Sequence, residues 1–181
     1  MALQLWDIED IIDETLAYLK DATYGINAQI TALNSVKSAK DTAAGRVVMT
    51  LAKFIDVNNN ATLKENENLF FFFAYPEELT NCDPIMTIST PEWTADDDGT
   101  NTFSIAYNVI TENSEDGTDP KRKLIRYVLA LRACLADYLK SATMFRASTL
   151  EAIEPSGVEV LNDDISRSFY SAGVTLRVVF A

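Results

Sequence analysis

The groups able to do chemistry in this chain are mostly carboxylates. It holds 27 acids against 15 bases, with no histidine and two cysteines. Without histidine, the commonest general base near neutral pH is missing. Ser-His and Cys-His nucleophile pairs are ruled out with it. So are zinc sites with imidazole ligands, and two thiols cannot supply a four-thiolate site. Cys82 and Cys134 suggest no disulfide framework and read as two free, small hydrophobes. The run Asp96-Asp97-Asp98-Gly99 lacks the alternating oxygens and terminal glutamate of a calcium loop, so it reads as a solvated loop. The six glycines are scattered singly, and none forms a phosphate-cradling loop. No catalytic, cofactor-binding or metal-ligating residue is expected, and the chain reads as a non-enzyme.

Charge is sorted along the chain. Residues 92–119 carry eight acids and no base. Residues 120–146 carry seven bases and one acid, Asp137. Residues 147–165 carry five acids and no base. Lys121, Arg122, Lys123 and Arg126 fall in the first two turns of a predicted helix, where the helix dipole disfavours cations. Two partners suit them: the neighbouring loop acids Glu112, Glu115, Asp116 and Asp119, or an acidic face on another subunit. On the second reading Lys121, Arg122, Lys123, Arg126, Glu112, Glu115 and Asp116 lie at a subunit boundary. The net charge of −12 argues against gripping a nucleic-acid backbone or an anionic membrane surface.

These residues are positioned by a simple succession of elements. Leu5, Ile8, Ile12, Leu16 and Leu19 recur every three or four residues and predict an N-terminal helix, with acids in its first turn. Gly25 is a break, and Ile26, Ile30 and Leu33 suggest a second, short helical stretch. Residues 38–45 read as a linker. Arg46–Val57 alternates and reads as β-rich. Leu69–Tyr75 is a short apolar run stopped by Pro76, suited to a strand buried on both faces or against a partner subunit. Ile85–Ser89 reads as a short strand. Phe103, Ile105, Tyr107 and Val109 alternate with smaller residues and mark a half-buried strand.

Asp119-Pro120 opens the clearest helix, with a capping aspartate and proline at the first position. Leu124, Val128, Leu131, Leu135 and Tyr138 form its core stripe, and Ile125, Leu129 and Leu139 widen it. Residues 141–165 read as irregular. Tyr170 to Phe180 alternates as a final strand.

The expected class is therefore α+β. A mainly antiparallel sheet of about four or more strands carries an N-terminal helix and a long helix on one side. One domain spans 1–181, with 38–100 as an extended middle region. The first six residues carry no basic and apolar leader, and no apolar run approaches a membrane span of about 20 residues, so a cytoplasmic, non-membrane product is expected.

Three segments together resemble a known family. They are the strand and acidic turn TFSIAYNVITENSEDGTDP, the helix core KLIRYVLALRACLADYL, and the terminal strand SFYSAGVTLRVVF. They are similar to the tail-terminator and neck proteins of long-tailed bacteriophages and related contractile injection particles. There a strand, an Asp-Pro turn, a helix with a Leu-x-Arg-Tyr-x-x-x-Leu-like core and a hydrophobic strand recur. Here that core is Leu124-Ile125-Arg126-Tyr127 with Leu131. The stretch RVVMTLAKFIDVNNNATLKENEN also resembles the early strand region of cap proteins of contractile injection systems. The chain departs from the short phage forms in its longer middle.

The resemblance implies a structural virion protein in the neck, assembled in the host cytoplasm. It would close into a homo-oligomeric ring, usually a hexamer, with no cofactor. Its partners would be the tail tube protein, a head-completion or connector protein and, in contractile tails, the sheath protein. DNA would pass through the lumen without being held, and acidic walls suit that passage. Another neck ring, such as a head-completion adaptor or sheath terminator, is the alternative. A small carboxylate-dependent hydrolase is the distant one.

Overall fold

The computed structural model describes residues 8–54, 84–88, 92–95, 101–112, 119–141, 147–159 and 169–180. In chain order these form α1 (Ile8–Lys20), α2 (Ile26–Ala43), β1 (Ile85–Ile88), β2 (Glu92–Ala95), β3 (Asn101–Glu112), α3 (Pro120–Ser141), β4 (Ala147–Glu159) and β5 (Phe169–Phe180). The fold is α+β.

Alternation builds the sheet. Ile105, Tyr107 and Val109 on β3 and Ala172, Val174, Leu176 and Val178 on β5 are all buried. Pairing is antiparallel and sets Tyr107 opposite Val174 and Ile105 opposite Leu176, so both buried rows share one face. The sheet runs β1-β3-β5-β4, with β2 also paired to β3. Three long strands, β3, β5 and β4, form its body, and the four-residue β1 and β2 add along the outer edge of β3. On the opposite face Ser104, Ala106, Asn108 and Thr175 are half-buried and Arg177 is exposed.

α3 lies against β5 and β3, and α2 lies against α3. Leu124, Tyr127, Leu131, Leu135 and Tyr138 of α3 are buried in one core with Ile11, Ile12, Leu16 and Leu19 of α1. Asp119 caps α3 as predicted, its Oδ1 accepting from the Lys121 and Arg122 amides at 3.0 and 3.3 Å. Gly25 is the N-cap of α2, after the turn that follows α1, and the space there suits only glycine. A Cβ there would stand 2.3 Å from the Asp21 carbonyl and 2.5 Å from that of Leu19.

Several expectations are corrected. Residues 38–43 are no linker but the last turns of α2. α2 ends in a Schellman turn: the Gly45 amide bonds the Thr42 carbonyl and the Arg46 amide bonds that of Asp41. Gly45 sits at φ 63°, a conformation that favours glycine. Residues 46–54 are extended but join no strand ladder. Residues 147–159, expected irregular, form β4; its register shifts on either side of Ser156, beside Pro155, which cannot donate to a ladder. Ile125 and Leu129 do not widen the core but are exposed. Leu5, the Leu69–Tyr75 run, the Asp96–Gly99 loop and Cys82 lie outside the described residues.

Candidate functional site

The most concentrated polar chemistry among the described residues surrounds the extended segment 46–54, here called the strap. It runs between α2 and α3 and buries Met49, Leu51 and Phe54. An extended chain without a partner strand must satisfy its amides and carbonyls some other way. Side chains do this from both helices.

On α2, Asn34 gives and takes at one strap residue. Its Oδ1 accepts from the Leu51 amide at 2.8 Å, and its Nδ2 donates to the Leu51 carbonyl at 2.9 Å. Asn27 repeats this at Phe54, with its Oδ1 2.8 Å from the amide and its Nδ2 2.7 Å from the carbonyl. The repeat has a geometric basis. Seven helical residues rise about 10.5 Å, and three extended residues span about 10 Å. The next seven-residue step reaches Asp41. The strap advances only two residues there, to Met49, and the Met49 amide bonds Asp41 Oδ2 at a longer 3.4 Å.

On α3, Arg122 donates to the Val47 carbonyl at 2.9 Å, Arg126 to that of Met49 at 3.0 Å, and the Tyr127 hydroxyl to that of Ala52 at 3.0 Å. Arg126 also reaches Asp41 Oδ2 at 2.6 Å. Asp41 is fully buried and gathers two more cations, Arg46 at 3.5 Å and Arg122 at 3.9 Å. Three guanidiniums thus converge on one carboxylate. The hydrogen bond from Arg126 holds the Asp41 carboxyl below its ordinary value. Asp41 Oδ1 and Arg122 Nε are buried without a hydrogen-bond partner.

The structure divides the predicted boundary residues. Arg126 is only 4% exposed and spends its donors within its own chain, on Asp41 and the Met49 carbonyl. Among the described residues its ionic partner is Asp41. Arg122 is shared between the strap and the surface, and Lys121 is exposed. Lys123 is half-buried. The side chain of Glu112, and Glu115 and Asp116 altogether, lie outside the described residues. Asn27, Asn34 and Asp41 were not singled out from sequence. Their seven-residue spacing on one helix was the available signal.

No family model matches this chain, and no curated protein matches it.

Two further polar groups lie in the core. The Thr15 hydroxyl stands 2.8 Å from the Ile11 carbonyl and 2.9 Å from that of Ile12, and it hydrogen-bonds the Tyr107 hydroxyl. Burial raises the Tyr107 phenol above its ordinary value. Cys134 is buried and free, its sulfur 3.8 Å from the Tyr24 carbonyl. Burial, with Asp137 adding to it, pushes this thiol up to about 12. A thiol in that state is a poor nucleophile at neutral pH. In a Cys82→Ser background, iodoacetamide at pH 8 is expected to leave Cys134 unlabelled in the native protein and to label it fully in guanidinium. Native labelling at the rate of a free thiol would place Cys134 in solvent. Among the described residues no group of His, Cys, Asp or Glu is placed to hold a metal ion, and no helix is long and apolar enough to cross a membrane.

Proposed function

We propose that this chain is a structural ring protein of a phage-like tail. Its ring ends the tail tube, stops tube polymerisation and joins the tail to the head or neck, with DNA passing through the lumen. The observation that carries the reading is the arrangement of the three segments that resemble tail-terminator and neck proteins. β3 and β5 pair along their whole length at the centre of the sheet. α3 lies across them and buries Leu124, Tyr127 and Leu131 of the Leu-Ile-Arg-Tyr core. The three segments that carry the resemblance thus pack together as one structural unit. The densest charge cluster has a use within the chain: it holds the strap between two helices. An excess of acids suits a lumen along which DNA slides.

The direct test is imaging. Negative-stain micrographs of purified protein are expected to show closed rings with an open centre, and adding the protein to polymerising tail tubes should shorten them. A protein that stays monomeric at high concentration and leaves tube length unchanged would sink the reading.

A further inference from the structure

We propose that the outer side of the strap and α3 is an assembly surface, where Arg46 and Arg122 receive a carboxylate from a second copy of this chain. The inference deepens the ring reading by naming the patch, and it rests on that reading only for the closure of the ring.

Three observations place the site. First, among the described residues the charge around Asp41 does not balance. One carboxylate faces the guanidiniums of Arg46, Arg122 and Arg126. Arg126 uses its donors inside, on Asp41 and the Met49 carbonyl. Arg46 and Arg122 retain exposed side-chain surface, 52% and 23%. Arg122 Nε is buried and finds no acceptor. Two partly exposed cations gathered around one anion can take a second oxyanion, since guanidinium groups pair carboxylates in a planar fork.

Second, the site has apolar surroundings. Among the described residues six large apolar side chains are exposed, and five of them lie on α2, the strap or α3: Val36, Val47, Val48, Ile125 and Leu129. Val47 carries the carbonyl that Arg122 holds. Ile125 and Leu129 follow Arg122 at three and seven residues, on one face of α3. A free ion would neutralise the arginines and leave these side chains wet. A protein surface covers both, and a central arginine with an apolar surround is how interfaces are commonly built.

Third, the charge complement lies elsewhere on the same chain. The site sits beside the first turns of α3. α1 sits at the other end of that helix, where Glu14 bonds Tyr138 at 3.2 Å and Tyr18 packs on Tyr138. α1 presents exposed Asp13, and β2 presents exposed Glu92. Its own α1 packs at the far end of α3, and the α1 of a neighbour is the copy that can meet the site. Complementary patches at separate places make a head-to-tail contact, which closes into a ring when the rotation allows.

The test uses Arg46→Glu and Val48→Asp in the full chain, with circular dichroism and thermal melts as the fold check. Sedimentation and negative stain then read assembly at low and high salt. Val48→Asp should melt like the parent. Arg46→Glu should stay folded but melt lower, because it sets an acid beside buried Asp41. Each should weaken self-association roughly tenfold or more, and high salt should imitate the assembly loss of Arg46→Glu. A parent that forms rings, with both variants assembling equally well, overturns this surface and leaves the ring reading standing. A parent that forms open chains or dimers, dissolved by both variants, supports the surface and removes the ring. A parent that stays monomeric, yet is stabilised by inorganic phosphate only while Arg46 is present, makes this a site for a small anion and overturns the second copy as its occupant.

Discussion

Replacing Arg126 with methionine is expected to lower the melting temperature by on the order of 10 °C, although methionine fills much of the same space. Asp41 is fully buried, and Arg126 is its closest cation at 2.6 Å. Removing Arg126 leaves buried Asp41 with only the more distant Arg46 and Arg122, at 3.5 and 3.9 Å, and an under-compensated buried charge costs more than the pair contributed. The Met49 carbonyl would lose its donor in the same step. A second substitution should undo much of the damage. Asp41→Leu in the Arg126→Met background removes the under-compensated carboxylate, so the double variant should melt above Arg126→Met alone.

The pair also predicts acid sensitivity. The Asp41 carboxyl titrates lower in the folded chain than in the unfolded one, chiefly through its hydrogen bond from Arg126. Its contribution is therefore present above the ordinary aspartate value of about 4 and is lost as pH falls from there toward the depressed value. Melts between pH 7 and pH 2.5 should show that loss in the parent and a flatter acid limb in Arg126→Met. Equal melting temperatures for parent and Arg126→Met at neutral pH would defeat this account of the cluster.

Arg126 shows where a sequence stops being readable. In the chain it is one of four cations near a helix start, and nothing local separates it from Lys121 or Lys123. What distinguishes it is Asp41, which lies 85 residues earlier and was hidden in the small, polar stretch SAKDTAAG. That stretch resembles a linker by composition, yet it is helical because Asp41 and the Schellman turn at Gly45 tie it down. By contrast, β3, β5 and α3 were legible because each buries one face against a common core, so each carries its own period. The strap was half-legible. Met49 and Leu51 are buried while Thr50 and Ala52 are exposed, which is a true extended alternation. An alternation cannot say what the backbone pairs with, and here it pairs with side chains. β4 was missed because Pro155 and Gly157 interrupt the pattern its neighbour β5 imposes. The charge partition did point to α3 as the element where cations matter, but it could not divide inward from outward arginines.

Substituting both Asn27 and Asn34 with leucine is expected to release the strap while leaving the sheet and α3 in place. Leucine keeps the size of asparagine and removes both its donor and its acceptor. Four strap groups lose their partners: the amides and carbonyls of Leu51 and Phe54. Each partly buried group left unpaired costs about 1–3 kcal/mol, and regained water offsets some of that once the strap lifts. Lifting has its own cost, because Met49, Leu51 and Phe54 then leave the core and the edge-on contact of Phe54 with Tyr127 is lost. Staying down leaves four groups unsatisfied, so partial release, with a net destabilisation of a few kcal/mol, is the cheaper response. The core of β3, β5 and α3 does not depend on those four bonds. Amide exchange should therefore accelerate selectively across residues 49–54 and remain slow at Tyr107, Leu131 and Val174. Limited proteolysis should open a new cut in the same segment, beside Arg46 or Lys53. Restoring Asn34 alone should return protection at Leu51 before Phe54, since each asparagine serves one residue. Unchanged exchange at 49–54 in the double variant would mean that the arginines and apolar burial hold the strap without the asparagines. Uniform acceleration across β3 and β5 would mean that the strap belongs to the cooperative core rather than lying on it.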